Sequence, residues 1–369
     1  MPVLGHEPIP IILTGGNPRK RGREHGELAQ DQVGLSVERY MERFAHFAGL
    51  SPEDVRERAG GFAPVIRDYD PDLLEEIEGV AEGAGFSTEE LLAVNCRSEI
   101  MFSTPLPECT SFGLAPEAAA NGHTYVGQNW DWAPDIKETL ILLVIEQGPK
   151  PTVVLLDEAG MIGRMGLNNA GIGLATNTLI SEQYQLGVPY NMLLRGILNQ
   201  RHMADAIGAL VRPTRALSAN YMICDAGGQV IDIEASPVHI DYLAPERGVL
   251  THGNHFEGAR LQGRDLSLER FPDSLYRGCR LRDSLADRAG DITVDDIKDT
   301  LRDKYGQPHA IARDADPTQG RFEQLETVAS IIMDVTEGRF LLSRGAPDQN
   351  DYVVFDLEEL TTGSLSVAV

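Results

Sequence analysis

Apolar and polar positions change rhythm along this chain, and the change falls near residue 109. Before it, apolar residues recur at three- and four-residue spacing, the period of a helix with one buried face. That spacing predicts helices over 26–48, 71–84 and 87–100, the second opened by a proline. Ser87 with Glu90 three residues on makes a capping box for the third helix. Residues 104–108 then carry two prolines, which end the helix and impose an extended approach to Cys109.

Beyond residue 109 short β-branched runs dominate and predict strands over 110–114, 124–132, 140–145, 152–156, 161–167 and 171–177. Helical spacing returns over 189–200 and 204–211. Strands follow over 221–224, 230–233, 238–243 and 249–252, then helices over 272–286 and 293–304, and a strand pair over 330–334 and 339–343. Runs of strands interrupted by blocks of helix point to α+β layers, not to an alternating parallel sheet. No linker sets off a second core, so residues 1–369 are expected to form one domain. The longest apolar runs, 139–146 and 151–156, fall far short of the ~20 residues a membrane span needs. Residues 1–10 lack the charged and apolar regions of a secretory signal, so a cytoplasmic location is expected.

Charge narrows the function. Thirty-two basic and 56 acidic side chains give a formal net charge of −24. A field of that sign repels nucleic acid and anionic membranes, and weakly disfavours acyl-coenzyme A as a substrate. The cysteines Cys96, Cys109, Cys224 and Cys279 show neither CxxC pairing nor metal-ligand spacing, and no phosphate loop is present. Neither a metal nor another cofactor is expected. In a reduced compartment each cysteine is by default a small buried hydrophobe.

Residues 124–132 alternate with period two. Gly127, Asn129 and Asp131 share one face, and Val126, Gln128, Trp130 and Trp132 share the other. Two tryptophans anchor one side, while two short polar groups beside a glycine suit the lining of a site. Asp131 alone would equally well cap a strand end. Asn121-Gly122 marks a turn, and a hairpin centred near Ala120 places Asp131 opposite Cys109, within roughly 5 Å.

These residues resemble a known family. Glu108-Cys109-Thr110-Ser111-Phe112, followed by Gly127-Gln128-Asn129-Trp130-Asp131-Trp132, resembles the acyl-coenzyme A:6-aminopenicillanate acyltransferase family, also called the C45 peptidase family. Gly22-Arg23-Glu24-His25-Gly26 is similar to its early glycine-histidine motif, and Asn95-Cys96-Arg97-Ser98-Glu99 to its helix before the cleavage site. Gly166-Leu167-Asn168, Gly187-Val188-Pro189, Leu193-Leu194-Arg195 and Asn254-His255 follow in the family's order.

The resemblance implies a four-layer αββα sandwich of the N-terminal-nucleophile hydrolase kind. It also implies a precursor that cuts itself between Glu108 and Cys109 into chains 1–108 and 109–369, which stay together as a heterodimer and leave higher oligomers open. Cys109 would be the nucleophile, Asp131 the carboxylate that orients its freed amine, and Asn254 an amide donor to the oxyanion. Asn129 would line the site, and Arg97 and Glu99 would form a buried polar network around the cleavage segment. Arg321 is the nearest match to a late arginine that partners the aspartate, although Glu323-Gln324 occupies the expected pattern. His25 and His255 read as structural. Glu108 stands where the family often has glycine.

The chemistry fits. A thiol of pKa near 8.5 needs a base, and a freed α-amine of pKa near 7.7–8 supplies one on the same residue. The expected activity is hydrolysis of a small N-acyl amine or amino acid through a Cys109 acyl-enzyme. The alternatives are acyl transfer from acyl-coenzyme A or an amide to an amine, and a non-catalytic scaffold that keeps the fold.

Overall fold

A computed structural model describes residues 9–101, 108–260 and 263–362. Strand β1 (Ile11–Gly15) leads into helices α1 (Pro18–Leu28), α2 (Gln30–Ala48), α3 (Pro52–Gly60), α4 (Ala63–Tyr69), α5 (Pro71–Ala84), α6 (Thr88–Asn95) and the single turn α7 (Arg97–Ile100). Strands β2 (Glu108–Leu114), β3 (Tyr125–Trp132), β4 (Leu140–Glu146), β5 (Val153–Glu158), β6 (Gly166–Asn168) and β7 (Ile172–Thr178) follow. Helices α8 (Tyr190–Leu198) and α9 (Met203–Val211) precede β8 (Ala219–Asp225), β9 (Val230–Ala235), β10 (Ile240–Leu243) and β11 (Val249–His252). The chain then runs through α10 (Ser267–Arg270), α11 (Ser274–Ala286), α12 (Val294–Leu301), β12 (Glu326–Asp334), β13 (Arg339–Arg344), β14 (Val353–Asp356) and α13 (Leu357–Thr362).

Two sheets stack face to face. One has the order β1-β4-β5-β6-β7-β8-β9-β10 and the other β11-β2-β3-β12-β13-β14. Every pairing is antiparallel except β1 on β4. The sheets meet where β2 and β3 lie against β7 and β8. Glycines set the closeness of that contact: a Cβ on Gly113 would fall 2.7 Å from Val230, and one on Gly173 2.8 Å from Val126. Helices α2, α8 and α9 cover the outer face of the first sheet. The second sheet turns Phe112, Leu114, Tyr125 and Ile332 outward onto Leu281 and Leu285 of α11 and Ile297 and Leu301 of α12. The result is the four-layer αββα sandwich of α+β type that the resemblance implied. No helix among the described residues is long and apolar enough to cross a membrane.

Several elements depart from the spacing-based expectation. The helix expected over 26–48 is two helices broken at Ala29, whose φ of −117° leaves the helical region. Part of the first carries the Gly22–Gly26 motif, which is a packing device. A Cβ on Gly22 would lie 2.0 Å from the Glu76 carbonyl oxygen, and one on Gly26 2.4 Å from that of Val80. Gly79 and Gly83 of α5 return the contact against Arg19 and Arg23 of α1. The helix expected over 87–100 starts with its Ser87–Glu90 capping box but breaks at Cys96. The strand expected over 161–167 shrinks to Gly166–Asn168, because residues 160–162 bond to side chains of other elements instead of a neighbouring strand. The proline-bounded approach at 104–107 lies outside the described residues, as does most of 1–10.

Because α1 and α5 touch backbone to backbone, a methyl group has nowhere to go at either glycine. Gly22→Ala should destabilise the protein by ~3 kcal/mol, and urea melts should show the loss. Gly34→Ala in α2 serves as the control for a helical glycine with room at its Cβ position, where the nearest atom, on Phe86, lies 3.9 Å away. Equal effects at the two positions would rule out the packing account.

Candidate active site

Strands β2 and β3 pair with Cys109 opposite Trp130 and Glu108 opposite Asp131. The expected Cys109–Asp131 pair is therefore off by one residue. The connection is not a tight turn at Asn121-Gly122 but a folded loop, with Ala118 and Gly122 donating to Ala115 and Ala119. One residue of slip changes the side of every group. Residues directly opposite in an antiparallel pair point the same way. Cys109, Trp130 and Val126 thus face the other sheet, while Glu108, Asp131, Thr110 and Asn129 face α11 and α12. The thiol and the Asp131 carboxylate lie on opposite faces of the sheet.

On the helical side a buried ion cluster surrounds Glu108. Its Oε2 accepts from Arg277 Nη2 at 2.8 Å and Arg313 Nη2 at 2.6 Å. Arg277 Nε also reaches Asp273 Oδ2 at 2.6 Å, and Nη1 donates to the Cys109 carbonyl at 2.9 Å and Thr110 Oγ1 at 2.6 Å. Arg313 Nη2 meets Asp273 Oδ2 at 2.5 Å, and its Nε lies 3.5 Å from Asp131 Oδ2. Asp131 Oδ1 accepts from Thr327 Oγ1 at 2.6 Å. Two guanidiniums serve three carboxylates, so one carboxylate is in excess. Burial pushes Glu108 up to about 7 against the pull of Arg313 and Arg277, and raises Asp131 as well. Burial also opposes ionisation of Asp273, yet Arg277 and Arg313 hold it below the usual carboxylate range.

Asn254 joins this cluster to the cysteine. Its Oδ1 accepts from the Cys109 backbone N–H at 2.9 Å and from Arg277 Nη2 at 3.1 Å, while its Nδ2 donates to the Thr178 carbonyl at 3.0 Å. Toward Cys109 its side-chain oxygen is therefore an acceptor, while its amide nitrogen, the group expected to serve the oxyanion, points to the Thr178 carbonyl. Asn129 lies on the Asp131 face as its pattern required. It spends both amide hydrogens on the Leu301 and Ile311 carbonyls, each at 2.8 Å, and so fixes the end of α12.

On the inner side, Arg164 is the cation that acts most strongly on the thiol. Its guanidinium stacks 4.2 Å above the Trp130 ring, and its Nε and Nη1 are buried with no hydrogen-bond partner among the described residues. The loop that carries it is held from three directions. His25 Nε2 accepts from Gly160 N at 3.1 Å, Asn95 bonds both Gly160 O and Ile162 N, and Arg195 Nη1 donates to Ile162 O at 2.7 Å. Three of the dispersed motif residues thus converge on one loop. Burial pushes the Cys109 thiol up to about 12; Arg164 and Arg277 pull it down, while Asp131 and Glu108 push it further up.

The remaining candidates do other work. Arg321 is exposed, paired with Glu42 and laid over Phe322, so it does not partner Asp131; Arg313 does. Arg97 and Glu99 are buried but bind separately. Arg97 meets Glu158 Oε1 at 3.1 Å between the Tyr40 and Trp132 rings, and Glu99 Oε1 accepts from Tyr190 N at 2.7 Å, capping α8. Burial lowers His25 to about 4, which suits its role as a neutral acceptor. His255 Nδ1 shares a 2.8 Å hydrogen bond with Ser274 Oγ. Among the described residues no group of three or more His, Cys, Asp or Glu could hold a metal.

Sequence reasoning missed Arg277, Asp273, Arg313 and Arg164. Asp273 and Arg277 stand four apart at the start of a helix, a spacing that ordinarily marks a solvated surface pair. Arg313 sits in a loop and carries no local signal.

Arg321→Ala should change stability by less than ~0.5 kcal/mol, whereas Arg313→Met should destabilise strongly by leaving Arg277 as the one guanidinium against the three buried carboxylates of the cluster. Denaturant melts of the two variants would separate them. The raised Glu108 group has a definite sign. The folded state holds its proton more tightly than the ordinary value of 4.5 allows, so its contribution is full below about pH 4.5 and fades as pH rises through about 7. In a Cys109→Ala background, stability relative to the Glu108→Gln double variant should therefore fall by up to ~3 kcal/mol between pH 4.5 and pH 7.5. A constant gap across that range would contradict it.

A cavity of about 570 Å³ opens beside the cluster, lined among others by Glu108, Asp273, Tyr276, His309, Arg313 and Leu325. Against known proteins, residues 118–349 match the model of the acyl-coenzyme A:6-aminopenicillanic acid acyl-transferase family. The acyl-coenzyme A:6-aminopenicillanic-acid-acyltransferase 40 kDa form of Emericella nidulans is 25% identical over 355 residues, which cover 92% of this chain and 94% of that protein. Among solved structures, an arginine-to-leucine variant of conjugated bile acid hydrolase from Clostridium perfringens aligns with a TM-score of 0.48 at 16% identity, over 67% of this chain and 93% of that one. Penicillin V acylase from Agrobacterium tumefaciens aligns with a TM-score of 0.45 at 12% identity, over 68% and 87%. With the family model spanning more than half of its length, this chain belongs to the acyl-coenzyme A:6-aminopenicillanic acid acyl-transferase family.

Proposed function

We propose that the chain is a self-processing cysteine amidohydrolase that acts on small N-acyl amines or amino acids through an acyl-enzyme at Cys109. The observation that carries this reading is the grip on the Cys109 peptide unit. Its N–H is held by Asn254, its carbonyl by Arg277, and its thiol faces the buried Arg164 side of the sheet.

Maturation begins when Cys109 Sγ bonds to the Glu108 carbonyl carbon. The Glu108–Cys109 C–N bond breaks, the thiol proton passes to the departing nitrogen, and a thioester remains. Water hydrolyses it to a Glu108 carboxylate and a free thiol. The chains 1–108 and 109–369 remain one αββα domain, because β1 from the first pairs with β4 of the second. A thiol held near 12 stays protonated at neutral pH, so turnover waits for the new amine. That amine, with a reference value near 7.7–8, takes the thiol proton and returns it to the leaving amine of the substrate. Asn254 Oδ1 receives the amine, and Asp131 with Arg313 sets the charge behind it. Arg164 steadies the anion that forms at sulfur in the dry inner face.

Water on the acyl-enzyme gives hydrolysis and an amine gives acyl transfer. The relative's name favours the second outcome in that protein, with an acyl-coenzyme A donor and an amine acceptor. The net charge of −24 weighs against the same large anionic donor here.

Expressed protein should resolve by intact mass into two fragments, the larger beginning at Cys109, while Cys109→Ala stays a single 40.3 kDa chain. Processed protein should hydrolyse N-acyl amides with kcat/KM rising through pH ~8 as the amine loses its proton. Product formed only with acyl-coenzyme A and an amine would replace hydrolysis by transfer, and an uncut, inactive wild type would leave a scaffold. Arg164→Met should lower kcat by roughly 10²-fold and raise the pH at which Cys109 alkylates, with partial rescue by lysine.

A further inference from the structure

Glu108 occupies more than a cleavage position. Its side chain fills a built carboxylate seat: both hydrogen-bonding guanidiniums are themselves buried, Arg277 at 0% exposure and Arg313 at 4%. The seat is joined to the cysteine, because Arg277 binds the Glu108 carboxylate with Nη2 and the Cys109 carbonyl with Nη1. It is also joined to a route for ligands, since Glu108 and Arg313 line the cavity of about 570 Å³.

Cleavage changes the charge count of the cluster. Before it, Arg277 and Arg313 face the carboxylates of Glu108, Asp131 and Asp273. When the chain end departs, one carboxylate leaves with it and the Cys109 ammonium arrives. Three cations then face two anions, and the two guanidiniums that Glu108 bridged are short of one carboxylate. Buried guanidiniums left this way draw in a replacement anion.

The geometry of that replacement follows from chemistry already described. The maturation thioester is an acyl group on Cys109 Sγ, which is the same species as the acyl-enzyme of turnover. In the first, the acyl group is the glutamyl residue 108, with three carbons between its thioester carbonyl and its carboxylate. A substrate acyl group on the same sulfur with the same spacing reaches the same two arginines.

From the seat that Glu108 holds on Arg277 and Arg313, we propose that the mature enzyme selects acyl groups bearing a carboxylate three carbons from the scissile carbonyl, of the glutaryl or α-glutamyl class. This rests on the reading of Cys109 as nucleophile. It goes further by naming the acyl specificity and the residues that impose it. The acyl group is transferred with its carboxylate unchanged: Sγ–C forms as the leaving-group bond breaks, and water later cleaves Sγ–C.

Activated esters test this without knowledge of the natural amine. Processed protein is treated with mono-p-nitrophenyl glutarate and, separately, with its uncharged methyl ester, and acylation of the fragment that begins at Cys109 is followed by mass. The charged ester should acylate at least ~10-fold faster, and Arg313→Gln should bring the ratio toward one, the neutral ester reporting on the nucleophile in each protein. Should that variant fail to fold, wild-type protein answers by protection: glutarate, and not its uncharged diamide glutaramide, should slow alkylation of Cys109 by iodoacetamide. Equal rates with both esters, or equal protection by glutarate and glutaramide, would overturn the specificity and leave the nucleophile standing. Acylation by neither ester would overturn the nucleophile itself, and the specificity with it.

Discussion

Burying Trp130 and Val126 between two closely packed sheets fixes how β2 lies on β3, and every functional group inherits its side from that choice. Cys109 follows Trp130 inward. Glu108 and Asp131 go outward, where Arg277 near the start of α11 and Arg313 in its loop meet their charge. The glycines at 113 and 173 let the two sheets approach closely, and the thiol between them is buried. A peptide bond is thereby held with its thiol in a low-dielectric layer and its preceding carboxylate in an ion cluster on the other face.

The two faces place opposite demands on the chain. Ion clusters in protein interiors cost several kcal/mol per charge in desolvation and repay it only with full pairing. Here the pairing is incomplete by one cation, and Glu108 carries the mismatch as a raised proton affinity. A cluster at odds with one of its own members suits a member that is to be removed. On the inner face the imbalance is of the other kind, because Arg164 is buried with two donors unspent among the described residues. Each face thus holds, in the uncut chain, the charge that the next proposed chemical step relieves.

Motifs scattered from residue 25 to residue 195 share one structural task. His25 from α1, Asn95 from α6 and Arg195 from α8 all bond the backbone of residues 160–162, and so deliver Arg164 to Trp130. The glycines beside His25 let α1 press onto α5, which brings the histidine within reach. These residues are remote from the sulfur in the chain and act by holding a single loop.

Local pattern was enough to determine the layers and to pick out a candidate nucleophile. Period two over residues 124–132 separated an apolar face from a polar one, helical spacing marked α5, α6 and α11, and the ordered motifs singled out Cys109, Asp131 and Asn254 from many polar residues. Those signals are local, or are matched one stretch at a time. What they did not contain was the pairing offset between β2 and β3, which depends on how the loop over residues 115–124 folds and which side chains the opposing sheet will bury. Nor did they contain the partners of Glu108. Arg277 looks like half of a surface helix pair and Arg313 like a loop residue, and Arg321 stood closer to the expected pattern. Only the folded chain, by bringing α11 and that loop over one end of β2, decided which arginines are buried and which remain in water.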